Sequence, residues 1–369
     1  MKARADAIGP TTTLAERKRR AGQRLAVGFL GHDLTPELRR HLVEIGPSHA
    51  ILFARNVVEP GQVRALNDTL HDIAPSDAPL LMAVDQEGGR VARIRDPFCA
   101  PWPSARCVGR AERHTEAVAT GLARELLAMG FDVDFAPVAD VDSNPKNPII
   151  GDRSFASDAA RAADHVGRYV RAMQAAGLAA TAKHFPGHGD TSVDSHLDLP
   201  CVERELGDLR AVELVPFREA IRSGVAAVMT AHVLFPALDE DLPATLSPRI
   251  LPTLLRSELG YDGLVYSDDL EMGAVAGRWS PEQIVKLATA ASVDVLLACK
   301  EASLQVALFE AMVRDQEEDP RADDRYGASV RRIHEVRRRF QGRIRPPLSE
   351  VGSPAYRSLA LMVADEGAP

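Results

Sequence analysis

Eight short apolar runs recur along this chain, at residues 25–30, 50–54, 80–85, 132–136, 179–184, 226–232, 264–268 and 293–298, and longer segments with helical punctuation separate them. None alternates strictly between apolar and polar residues, the pattern of parallel strands covered on both faces. The helical segments carry their own start and stop signals. Ser280-Pro281-Glu282-Gln283 places an N-cap, a proline at the first helical position and a glutamine at the third, a capping box. Ser247-Pro248 opens a second helix that should close near Gly260, Ser157 begins a third that runs through Met173 to Gly177, and Gly130 ends the one before it. Eight β-α units close into a barrel or spread into an open doubly wound sheet. No G-x-G-x-x-G follows the first run to support the open sheet. The expectation is an α/β chain folded as a single (β/α)8 TIM barrel, local irregularities allowed, with no second domain.

The expected organisation is an N-terminal arm over residues 1–22, loose in character, a barrel over 23–342 and a C-terminal appendage over 343–369 that packs on it. The appendage begins near Pro346-Pro347 and carries a short helix from Ser353. No internal repeat, low-complexity tract or linker calls for further division. A length of 369 residues suits one barrel with active-site insertions. Aromatic residues make up 5% of the chain against 45% hydrophobic, so the core must rest on Val, Leu, Ile and Ala.

A formal charge of −8 argues against nucleic acid or an anionic membrane as partner. The basic run Arg331-Arg332 and Arg337-Arg338-Arg339 reads as the wet face of a helix whose apolar side is Val330, Ile333, Val336 and Phe340. Cys99, Cys107, Cys201 and Cys299 are scattered without a CxxC pair, which fits reduced, packed thiols. Residues 1–23 contain no apolar signal-peptide core, and no apolar stretch approaches the ~20 residues of a membrane span. These features lead to the expectation of a soluble cytoplasmic protein, monomeric or weakly homo-oligomeric.

Chemistry-bearing residues gather at the C-terminal ends of the runs, where a barrel places its active site. The third run ends in Asp85-Gln86-Glu87-Gly88-Gly89-Arg90, the fifth in Lys183-His184, the sixth in His232 and the seventh in Ser267-Asp268-Asp269. An unpaired charge at the end of a buried strand costs several kcal/mol, so this rim needs partners or a ligand. Residues 183–196 are the densest segment, with three histidines, two aspartates and a lysine. His184, His188 and His196 with Asp190 or Asp194 have the composition of a zinc site. Lys183 would repel a cation there, and the proline and glycines make the segment a loop. The other reading pairs Asp194 with His196, the carboxylate fixing one ring nitrogen and raising the basicity of the other. His188 reads as structural, bonding backbone in a tight loop. Asp268 and Asp269 are adjacent, so their side chains should diverge. Asp268 is expected to face the axis and Asp269 to cap the following turn or bind a basic neighbour.

Six motifs stand in one order: Val84-Asp85-Gln86-Glu87-Gly88-Gly89-Arg90-Val91, Asp134-Phe135-Ala136-Pro137-Val138, Gly151-Asp152-Arg153-Ser154-Phe155, Lys183-His184-Phe185-Pro186-Gly187-His188-Gly189, Asp194-Ser195-His196 and Ser267-Asp268-Asp269-Leu270. Together, over about residues 23–340, they resemble the family 3 glycoside hydrolases, specifically the compact bacterial β-N-acetylglucosaminidases of peptidoglycan recycling. The resemblance implies that Asp268 is a nucleophile and His196 an acid/base tuned by Asp194. It implies that Asp85, Arg93, Arg153, Lys183 and His184 hold the hydroxyls and the 2-acetamido group of a terminal sugar. It also implies a non-reducing GlcNAc, linked β-1,4 to an anhydro-muramic sugar or its peptide conjugate, as substrate. No metal or organic cofactor is called for. Larger relatives take a carboxylate acid/base from a second domain, and a histidine on the loop after the fifth strand would replace it.

The physical account agrees with a retaining reaction. A carboxylate below the sugar and a proton donor beside the leaving oxygen are required, the usual carboxylate pairs standing ~5–5.5 Å apart. An oxocarbenium-like transition state is stabilised by the charge of Asp268, and Arg153 and Lys183 keep neighbouring carboxylates ionised. Competing readings are a phosphorylase, since an imidazole repels phosphate less than a glutamate does, a β-glucosidase, a zinc hydrolase, and a non-catalytic sugar sensor on the same barrel.

Overall fold

The computed structural model describes residues 12–75, 78–191, 199–342 and 344–369. Each apolar run contains a strand: β1 (Leu25–Gly28), β2 (His49–Leu52), β3 (Leu81–Val84), β4 (Val133–Asp134), β5 (Ala179–Phe185), β6 (Ala227–Thr230), β7 (Leu264–Asp269) and β8 (Val295–Ala298). They pair in parallel in chain order, and β8 returns to β1 through Leu25–Leu296, Ala26–Leu297 and Val27–Ala298 to close the barrel. Every residue of these strands is buried except Asp268 and Asp269, the last two of β7. That burial on both faces is why the runs do not alternate. The small residue ending β1 has a packing reason, because a Cβ on Gly28 would stand 2.0 Å from the Cys299 carbonyl oxygen.

The barrel interior holds Ala26, Ile51, Leu81, Val133, Ala179 and Tyr266 in one cluster with Ile333, Val336 and Phe340. The last three come from the helix Pro320–Phe340, whose Arg337 Nε donates to Pro79 O at 2.8 Å, just before β3. Gln341 Nε2 likewise donates to Leu80 O at 2.6 Å. This helix therefore plugs the N-terminal end of the barrel and leaves the C-terminal end as the open one. Its apolar side is as expected, but the basic run is not all wet face. Arg337 is buried, and Arg332 reaches Asp262 at 2.7 Å and the buried Asp294 at 3.1 Å. A long guanidinium on the edge of an apolar stripe can reach main-chain and carboxylate acceptors beneath it.

Helix signals fared unevenly. The capping box at Ser280 forms as read, with Ser280 N to Gln283 Oε1 at 2.8 Å and Gln283 N to Ser280 Oγ at 3.3 Å. Asp158, not Ser157, caps the helix Ala159–Ala176, which ends at Gly177 with φ 109°. The helix expected from Ser247 starts later, as a π-helical stretch Leu251–Glu258. Ser247 Oγ instead donates to Asp239 at 2.7 Å and accepts from Arg249 and Ile250, which makes a turn ahead of the helix.

The expected loose arm is corrected over its second half. Leu14–Gln23 is a helix capped by Thr13, with Ala21, Gly22 and Gln23 buried, and Arg20 pairs with Asp323 at 2.7 Å. Its small buried face lets it lie against the helices Ala302–Glu318 and Pro320–Phe340. At the other terminus Ser353 caps the helix Pro354–Glu366, which buries Ala360 and Val363. Among the described residues no helix is long and apolar enough to cross a membrane.

Candidate active site

The open end of the barrel holds a pocket of about 280 Å³. Phe135, Met229 and Leu297 give it an apolar floor, and Asp85, Glu87, Arg93, Arg153, Lys183, His184 and Asp268 surround it. Five of the eight residues singled out from sequence as functional are thus gathered here with Asp268: Asp85, Arg93, Arg153, Lys183 and His184. The other two, Asp194 and His196, lie outside the described residues.

Two carboxylates shared among three cations form one wall. Lys183, in β5 and almost wholly enclosed, places Nζ 2.8 Å from Asp85 Oδ1 and 2.7 Å from Glu87 Oε1. Arg93 Nη2 reaches Asp85 Oδ2 at 3.0 Å. Arg153 grips Glu87 in the two-pronged manner of a guanidinium, Nε to Oε2 and Nη2 to Oε1, both at 2.8 Å. Burial alone would raise both acids. Lys183 and Arg93 nonetheless hold Asp85 well below the usual carboxylate range, and Arg153 and Lys183 bring Glu87 down to about 2. Lys183 keeps its proton in return: burial opposes the charge, but Asp85 and Glu87 outweigh it and raise its pKa. Glu87 had no assigned role in the sequence, although it stands in one of the six motifs. Its partners are 66 and 96 residues away, which no local pattern announces.

Asp140 organises the second wall, and the sequence reading passed over it. It lies beyond β4, fully buried, and accepts from His184 Nδ1 at 2.7 Å, from His184 N at 3.2 Å and from His188 N at 2.7 Å. His184 Nε2 is left toward the pocket, 3.4 Å from Arg153 Nη2. His188 combines the structural role expected of it with a place on the pocket wall, its Nδ1 2.9 Å from Thr191 Oγ1. Burial and the neighbouring His184 lower it to about 4, so it is neutral at physiological pH. Asn147 Nδ2 donates to the carbonyls of His188 and Gly189 at 2.8 and 2.9 Å. Gly189 is required here, since a Cβ would fall 1.6 Å from Val141 O. Asp190 is occupied by Arg204. A polar aspartate inside the apolar run Val138-Ala139-Asp140-Val141 was the one signal that pointed to Asp140.

Of the two acids at the end of β7, Asp268 lines the pocket and Asp269 departs from expectation in its direction. Asp268 accepts from its neighbour's main-chain N–H, Oδ1 to Asp269 N at 2.8 Å. Asp269 caps the turn as read, accepting from Glu271 N at 3.2 Å, but it lines the same pocket rather than pointing away. The pairing of β7 with β8 slips between Tyr266–Val295 and Asp269–Leu297, so the strict pleat that would separate adjacent side chains is broken there. Among the described residues no basic group pairs with Asp269. Burial, with Glu271 and Asp268 nearby, raises it from the usual value to about 7.

A carboxyl raised in the folded state contributes stability below its unfolded pKa and loses it as pH rises through the folded one. Asp269→Asn keeps the turn acceptor and cannot ionise. Its melting temperature is expected to match the wild type near pH 4 and to exceed it increasingly up to about pH 7. Thermal melts at pH 4, 6 and 8 check this, and equal melting temperatures at pH 8 would count against it.

Residues 26–336 match the model of the glycosyl hydrolase family 3 N terminal domain. The chain belongs to glycosyl hydrolase family 3. It is therefore a glycoside hydrolase, and its relatives share both sequence and barrel. It is 41% identical over 289 residues to the beta-hexosaminidase of Thiobacillus denitrificans, covering 76% of this chain and 79% of that protein. Among solved structures, the family 3 beta-N-acetylglucosaminidase from Paenibacillus sp. str. FPU-7 superposes with a TM-score of 0.87 at 37% identity, over 95% of this chain and 68% of that one. NagZ from Neisseria gonorrhoeae, solved in complex with N-trifluoroacetyl-D-glucosamine, gives 0.75 at 28% identity, over 94% and 98%.

Proposed function

We propose that this family 3 chain is a retaining exo-β-N-acetylglucosaminidase that releases terminal GlcNAc from muropeptides or related β-GlcNAc glycosides in the cytoplasm. The observation that carries the reading is the placement of Asp268 in a pocket closed at its floor and walled by ionised, mutually fixed polar groups. Such a pocket has room for one sugar ring and donors for its hydroxyls, which suits cleavage at a chain end. The relatives' names add the acetamido sugar.

In the first step a carboxylate oxygen of Asp268 attacks the anomeric carbon as the glycosidic C–O bond breaks. The leaving oxygen takes a proton from the His196 imidazolium, with Asp194 orienting the ring. In the second step neutral His196 removes a proton from water, the water oxygen bonds to the anomeric carbon, and Asp268 departs as a carboxylate. Asp85, Arg93, Arg153, Lys183 and His184 bind hydroxyls and the acetamido group. Because Lys183 and Arg153 are already fixed by Asp85 and Glu87, little reorganisation accompanies the charge that develops on the sugar.

The test is turnover of 4-nitrophenyl β-N-acetylglucosaminide beside the matching β-glucoside, in buffers with and without phosphate. Proton NMR would follow the first-formed anomer. A β-anomer from the GlcNAc substrate alone is the expected result. An α-anomer would sink retention, comparable glucoside turnover would indicate a β-glucosidase, and a sugar 1-phosphate would indicate a phosphorylase.

A further inference from the structure

We propose that His232 is a positioning residue for Asp268, holding the end of β7 so that one chosen oxygen of the nucleophile faces the sugar. The proposal rests on the reading of Asp268 as nucleophile. His232 lies two residues beyond β6, is 1% exposed and does not line the pocket. Its Nε2 stands 3.1 Å from the main-chain oxygen of Asp269. A carbonyl only accepts, so Nε2 carries a proton and donates it. On the other side of the ring Nδ1 lies 2.8 Å from Thr245 Oγ1, which stands 2.8 Å from Thr230 Oγ1 and 3.0 Å from Ala231 O.

The location of this contact gives it consequence. The ladder between β6 and β7 ends at the pair Met229–Tyr266, and the ladder between β7 and β8 slips just beyond Tyr266. Regular pairing on the β6 side therefore stops two residues before the nucleophile, while on the β8 side it resumes at Asp269–Leu297 after the slip. Past that point Asp269 is tied at both ends, its N–H to Asp268 Oδ1 at 2.8 Å and its carbonyl to His232. The imidazole stands in for the missing strand partner on the β6 side. With Oδ1 occupied by the N–H, Oδ2 is the oxygen presented to the anomeric carbon. A displacement of about 1 Å at a reacting atom costs on the order of 10²-fold in rate, so a loosened β7 end should be felt in the chemical step more than in binding.

The experiment compares wild type, His232→Leu and His232→Gln, since a glutamine amide nitrogen can take the place of Nε2. Two quantities are measured: kcat and KM on an aryl β-N-acetylglucosaminide, and the rate at which a 5-fluoro glycosyl fluoride of GlcNAc covalently captures the enzyme, with the labelled residue found by mass spectrometry. The expected result for His232→Leu is kcat and capture rate lower by roughly 10–100-fold at a KM within about threefold. His232→Gln should recover most of that loss. Wild-type kcat and capture in His232→Leu would overturn the proposal, as would a glutamine variant as slow as the leucine one. Where His232→Leu does not fold, Thr245→Val keeps the side-chain shape and removes the hydroxyl that Nδ1 shares with Thr230 and Ala231, and a lowered kcat at unchanged KM is expected; unchanged kcat overturns the idea. Capture of the wild type on a residue other than Asp268 would instead mark the nucleophile reading as the part that failed.

Discussion

Asp268→Ala is expected to lower kcat/KM on an aryl β-N-acetylglucosaminide by at least about 10⁴-fold, the scale seen when a covalent nucleophile is removed. That factor corresponds to roughly 5.5 kcal/mol of transition-state stabilisation. The large effect follows from what alanine takes away. It deletes both the atom that bonds to the anomeric carbon and the negative charge beside an oxocarbenium-like transition state. Folding should survive, because Asp268 is one of the two barrel-strand residues that are not buried and its recorded hydrogen bond is to the next residue's N–H.

Azide makes the result diagnostic. In Asp268→Ala a small anion can enter the emptied space, attack the anomeric carbon from below and release the activated aglycone, giving an α-glycosyl azide. In His196→Ala the glycosyl-enzyme still forms with a good leaving group, and azide then displaces Asp268 to give the β-azide. The two anomers, distinguished by NMR, assign the two roles independently. Near-wild-type turnover by Asp268→Ala, or the same azide anomer from both variants, would contradict the mechanism.

Lys183→Met is expected to be the most destabilising single change in the site. The side chain is enclosed and serves Asp85 and Glu87 at once. Methionine has a similar length and no charge, so it leaves the enclosed Glu87 carboxylate and the partly exposed Asp85 carboxylate with only Arg153 and Arg93. Removing one partner of a buried ion pair costs about 3–5 kcal/mol, because the remaining charge stays desolvated. For a chain of this size that lowers the melting temperature by on the order of 4–7 °C.

Acid dependence gives a second reading of the same variant. Glu87 is depressed to about 2 and Asp85 is also held low, so both contribute stability above the ordinary carboxylate range and lose it as pH falls through their folded values. The wild type should therefore lose stability between about pH 4.5 and 2. Lys183→Met should show a shallower slope there, since its carboxylates titrate closer to their unfolded values. Urea unfolding at pH 7 and at several pH values below 5 checks both statements. A midpoint unchanged at pH 7 would mean that Lys183 contributes nothing to the fold.

How much was legible in the sequence differs from residue to residue. The capping box at Ser280 formed as written, because it needs only four consecutive residues. The helix from Ser247 started later than read: the hydroxyl accepts from Arg249 and Ile250 as a cap would, but the residues after it form a turn, tied back to Asp239, before the helical stretch begins at Leu251. The half of the N-terminal arm that became a helix had a cap in Thr13, but its anchoring depends on Asp323, three hundred residues later. Asp269 was assigned its turn correctly and its direction wrongly. The pleat rule used for it presumes regular pairing, and β7 carries one extra residue against β8 between Tyr266–Val295 and Asp269–Leu297, which only the register with the partner strand reveals.

The sequence by itself determined that eight buried strands alternate with helices and that polar residues collect at their C-terminal ends. Both follow from periodicity and composition within a window of a few residues, which is the range over which backbone geometry imposes a repeat. Only the tertiary structure decided that Glu87 joins Arg153 and Lys183, that Asp140 lies under His184, and that His232 reaches the end of β7. Closing the barrel brings residues from different strands within hydrogen-bond reach. Which pairs meet depends on stagger and local slips in the ladders, and those are set by the packing of the whole sheet rather than by any one segment.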